Sequence, residues 1–113
     1  GTAEQYYGLF TESLPGLDNE SAIRSFLKIL NAHDIARMDE DHHGILAECC
    51  FGWLLSADSS IAVKAYSMNL LYMLGSIYPE LLGELRESIL AVIEEGSAGI
   101  KARGRQILKL LPG

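Results

Sequence analysis

The amino-acid sequence predicts an all-α fold, and three observations predict it. Nearly every segment carries apolar residues at helical spacing. Strand signals are missing, with no clean period-2 alternation and no Asn-Gly or Asp-Gly hairpin turn. A short acid–aliphatic–base motif recurs three times at near-constant spacing, which predicts stacked helical units rather than one closed bundle. The 113 residues are enough for one domain and too few for two ordinary ones. Hydrophobic residues make up 49% against 21% charged, which argues against a disordered chain.

Six helical stretches follow in order. Glu4 to Leu14 is the first and stops at Pro15-Gly16. Glu20 to Asn31 is the second, with Asp18 or Asn19 placed to accept the unpaired amides of its first turn. Ala32 to His43 is the least regular stretch and reads as a loop with a short turn. His42 to Ser56 sets Ile45, Cys49 and Trp53 on one stripe, with Leu46, Cys50 and Leu54 beside it. Ser60 to Ser76 is apolar nearly all round, which suits a helix packed on two sides. Pro79 is suited to the first position of a helix running to Glu95, with Gly96 as its stop. Ser97 caps a last helix that reaches Leu111 before Pro112-Gly113.

The repeated motif is an acid, four residues, an aliphatic residue and a base. Asp18, Ile23 and Arg24 form the first copy. Asp58, Val63 and Lys64 form the second, and Glu95, Ile100 and Lys101 the third. The acids are 40 and then 37 residues apart. An acid is stabilised at a helix N-terminus, and the base can reach back toward it. Three residues past the base, Ser67 and Gly104 are small enough for close helix contact, whereas the first copy has Leu27.

This pattern resembles the second helix of HEAT repeats, of the armadillo-like superfamily, whose motif runs Asp, four residues, Val-Arg, then Ala. The resemblance implies a right-handed α-α superhelix of about three helical hairpins. Counting one helix back from each motif gives units of roughly 3–35, 40–76 and 78–111 within a single domain, residues 1–113. The central unit fits best. The first departs at Leu27, and the third carries Glu95 and Gly104 in place of Asp and Ala.

The formal net charge is −6, which argues against a nucleic-acid surface. The balance is uneven, because Lys101, Arg103, Arg105 and Lys109 occupy the last thirteen residues with no acid among them. No basic start with a long apolar run marks a signal peptide, and no run approaches the length of a membrane span. Adjacent Cys49 and Cys50 cannot staple a loop, which points to a reducing cytoplasm and to buried thiols.

The most polar cluster is Asp39, Glu40, Asp41, His42 and His43, with His33 and Asp34 nearby. Imidazole and carboxylate are ligands for divalent metals, but adjacent histidines on a helix point about 100° apart. The expected role of these acids is to favour the following helix N-terminus, and no metal or cofactor is expected. No Gly-x-Ser-x-Gly, phosphate-cradling Gly loop or His-Glu-x-x-His occurs, so no catalytic residues are assigned. Tyr66, Met68, Tyr72 and Met73 decorate the central helix and read chiefly as core. In a HEAT-like stack the second helices line the concave face, where Lys64, Ser67, Asn69, Arg103 and Gln106 are expected to be surface groups. The resemblance therefore implies a non-catalytic scaffold that binds a protein or peptide there. The alternatives are nucleic-acid binding, as in HEAT-like DNA alkylation repair proteins, and a small metal-binding protein built on the acidic His stretch.

Overall fold

The computed structural model describes residues 12–17 and 19–112. Five α-helices follow in order: α1 (Glu20–Asn31), α2 (Glu40–Leu55), α3 (Ile61–Ile77), α4 (Leu81–Glu95) and α5 (Ala98–Leu110). Two 3-10 turns, Leu14–Gly16 and Ile35–Arg37, precede α1 and α2. No strand occurs among the described residues.

Local side-chain acceptors set four of the helix starts. Asn19 Oδ1 accepts from the Ala22 amide at 3.0 Å, and Asp39 Oδ1 from the His42 amide at 2.8 Å. Ser60 Oγ accepts from the Val63 amide at 3.2 Å, and Ser97 Oγ from the Ile100 amide at 3.4 Å. Asp18, the other candidate cap of α1, lies outside the described residues, as does most of the predicted Glu4–Leu14 helix. Its last described residues, Glu12 and Ser13, are helical and run into the Pro15-containing turn.

Two boundaries differ from the sequence reading. Asp39 to His43 is not a loop. Asp39 is the cap, and α2 begins at Glu40, so Glu40 and Asp41 occupy the first turn, where unpaired amides favour negative charge. The loop is confined to the stretch around the Ile35–Arg37 turn, which Asp34 Oδ1 caps by accepting from the Ala36 amide. Pro79 does not open α4 either. Tyr78 to Glu80 form a turn in which the Leu81 amide donates to the Tyr78 carbonyl and the Leu82 amide to that of Pro79.

The helices form two layers. α1, α3 and α5 lie side by side in one; the Leu14–Gly16 turn, α2 and α4 lie side by side in the other. Each hairpin, α2–α3 and α4–α5, spans both layers, so contacts run along the chain as in a helical solenoid. α3 touches all four other helices, which is why it is apolar nearly all round. Its Val63, Met68, Leu70, Leu71 and Leu74 are buried. α1, at one end of its layer, buries only Ile23, Leu27 and Leu30 and leaves Arg24 and Lys28 exposed.

Small residues set the close approaches. A Cβ on Gly104 would sit 2.5 Å from Ile93 Cγ2 and 3.1 Å from Ile89 Cγ2, so α5 rests on α4 with no room for a methyl group. Gly96 ends α4 at φ −79°, an ordinary extended conformation. A side chain there would instead meet Ile100 Cγ2 at 2.8 Å and the Val92 carbonyl at 2.9 Å.

Two polar ties run from α1 to α3. Glu20 Oε1, in the first turn of α1, accepts from the Ser60 amide at the cap of α3 at 3.1 Å. Asn31 Nδ2 donates to the Leu27 carbonyl at 2.8 Å and to the Tyr66 carbonyl of α3 at 3.3 Å. Two of the motif's bases do not reach their acids. Among the described residues, Lys64 and Lys101 make no ion pair with Asp58 or Glu95. Glu20, two residues past Asp18, instead links the start of α1 to the start of α3.

Candidate functional site: a groove on the second-helix layer

The groove lies across α1, α3 and α5. α3 contributes Asn69, Tyr72 and Met73, a stripe at i, i+3 and i+4. α5 contributes Arg103, Gln106, Ile107 and Leu110, again at helical spacing, together with Lys109. Asn31 closes the α1 side. The groove is open to solvent, with a volume of about 600 Å³. Its floor and walls are apolar at Tyr72, Met73, Ile107 and Leu110, and Leu110 is 58% exposed.

Three of the five predicted surface groups, Asn69, Arg103 and Gln106, meet in this groove. Lys64 does not line it and stays half-buried in the first turn of α3. Ser67 is fully buried and is not a surface group. It faces the Cys50 thiol, and its small side chain lets α2 approach α3. Met68 is also fully buried, as a core reading of that stripe expects. Sequence reasoning missed Asn31, Lys109 and Leu110. Lys109 had an adequate explanation as a cation near a helix C-terminus, and nothing at Asn31 distinguished it from any other helix-end amide.

The acidic His stretch is divided by the helix it begins. His42 Nε2 lies 2.8 Å from Glu12 Oε1, and its Nδ1 lies 2.8 Å from Asp39 Oδ1. The hydrogen bond to Glu12 raises its pKa, the Asp39 and Glu12 charges add to that, and partial burial opposes them. His43 points the other way and is buried. Its Nε2 donates to the Ile35 carbonyl, which can only accept, so Nδ1 is left to accept from the Tyr78 hydroxyl at 2.8 Å. The two rings meet edge to face with centroids 5.5 Å apart. Among the described residues no three His, Cys, Asp or Glu side chains converge on a common point. Burial pushes the thiol of Cys50 far above its usual range, and desolvation together with Glu48 raises that of Cys49.

The other layer has the opposite polarity. Glu40, Asp41, Glu48 and Glu80 surround a depression of about 570 Å³ beside Tyr78. Desolvation, then the charges of Glu40, Glu80 and Asp39, push the Tyr78 hydroxyl upward. The uneven charge of the sequence is thus distributed over two different layers.

Paired helices in two layers, stacked along the chain, define a helical-repeat protein of the scaffold type. The chain belongs to the HEAT repeat family: the HEAT repeat domain model matches residues 5–111. No curated protein and no solved structure matches the chain. Among the described residues, no helix is long and apolar enough to cross a membrane.

Proposed function

We propose that the chain is a non-catalytic HEAT scaffold of three units, roughly 3–35, 40–76 and 78–111, that binds a protein or peptide along α1, α3 and α5. The observation that carries this reading is the groove, because it takes side chains from three successive second helices at once. A surface assembled in that way is set by the repeat stacking and held rigid by it. Tyr72, Met73 and Arg103 belong to the residue types enriched at interfaces.

Catalysis is not part of the proposal. The Cys50 thiol is sealed in the core, and both nitrogens of His43 are engaged within the fold. His42 is held between two carboxylates. Nucleic acid fits poorly, since a net charge of −6 repels phosphates and the groove has only two cations.

A photoreactive residue placed at Gln106, in the groove, or at Glu48, on the opposite layer, tests the assignment. Partner cross-links from position 106 and none from position 48 are expected. Cross-links from position 48 alone would place binding on the other face.

A further inference from the structure

We infer that the groove accepts an acidic peptide segment carrying an aliphatic or aromatic anchor residue, a proposal that rests on the scaffold reading above. The first observation is the sign of its charge. In a chain with 15 acidic and 9 basic residues, the groove is lined by Arg103 and Lys109 and by no carboxylate. α5 itself contains no acid anywhere between Ala98 and Leu110.

The second observation is that these charges are unspent. Among the described residues, Arg103 and Lys109 form no ion pair. Arg103 presents a planar fork of donors suited to a carboxylate, and Lys109 a point charge. They are six residues apart on one helix, which separates their backbone positions by about 9 Å. Two acids of one bound segment can therefore be engaged together.

The third observation concerns the groups between them. Asn69 and Gln106 make no hydrogen bond among the described residues. Each has a free donor and a free acceptor for a peptide backbone. Asn31 has committed its Nδ2 to the Leu27 and Tyr66 carbonyls, so it offers an acceptor only. Tyr72, Met73 and Leu110 supply the apolar contact, and the flexible Met73 side chain can adapt to the shape of the anchor. Cations, amides and an apolar floor in one groove are complementary to an acidic peptide and not to a basic one.

The test is selection of short random displayed peptides on the wild-type chain and on the Arg103→Glu/Lys109→Glu variant. Both substituted residues are exposed, and thermal unfolding of the variant checks that the fold is kept. Wild type should enrich sequences rich in Asp and Glu with Leu, Phe or Trp. The variant should bind those peptides at least about tenfold more weakly, and added salt should weaken wild-type binding. Enrichment of basic or uncharged peptides, still lost on Gln106→Glu, would overturn the acidic-peptide inference while leaving the groove as the binding face. Peptides insensitive to every groove substitution would overturn both. A single-stranded oligonucleotide that binds more tightly than any peptide, and is lost in the variant, would reassign the groove to nucleic acid.

Discussion

Gly104 holds its place because α5 lies directly on Ile89 and Ile93. Gly104→Ala gains helix propensity worth about 1 kcal/mol, yet forces a methyl group into a β-branched side chain, at a cost of about 1–3 kcal/mol. The net result should be a loss of stability in urea unfolding. Gly83→Ala is the control: nothing lies within 4 Å of its Cβ position, and it should gain about 0.5–1 kcal/mol. The two carboxylates beside His42 make its contribution to stability depend on pH. Its folded pKa is raised, so its stabilising contacts are fully present below the unfolded value of 6.5 and fade as pH rises through the folded value. Glu12→Gln should therefore lower Tm more at about pH 6 than at about pH 9. The difference should be small, because the Glu12 and Asp39 side chains are 54% and 63% exposed.

At the scale of elements, connections matter more than helices. His43 ties α2 to the Ile35–Arg37 turn through the Ile35 carbonyl and to the α3–α4 connection through Tyr78. Tyr78→Phe leaves a buried ring nitrogen without its partner and should cost about 1–3 kcal/mol in denaturant unfolding. His43→Leu with Tyr78→Phe should cost less than the sum of the two single changes, since both partners are then removed together. The helices were legible in the sequence where their signals were local. Asn19, Ser60 and Ser97 act on amides three residues away, so a short window contains the whole interaction. Ser67 and Gly104 were readable as small residues at a helix contact because each stands three residues past the base of its motif copy. The start of α2 was not readable, because a run of three acids and two histidines looks polar whether it is a loop or a capped first turn. Pro79 has a related ambiguity, since it suits a turn and a helix start equally.

At the scale of the whole molecule, α3 decides which residues form a site. It is apolar nearly all round and touches every other helix, so its own pattern does not mark an outward face. Met68 is sealed and Met73 lines the groove, five positions apart on one helix. That distinction comes from where α1 and α5 lie, which a single sequence does not carry. The same stacking gathers Arg103 and Lys109 into a groove free of acids, while Glu40, Asp41, Glu48 and Glu80 collect on the other layer. The proposed binding face is the layer of α1, α3 and α5. Backbone amide NMR shifts during titration with a selected acidic peptide test it most directly. Shifts concentrated at Asn69, Tyr72, Arg103, Gln106 and Lys109, with α2 unaffected, are expected. Shifts concentrated at Glu40 to Glu48, with α3 and α5 unmoved, would contradict it.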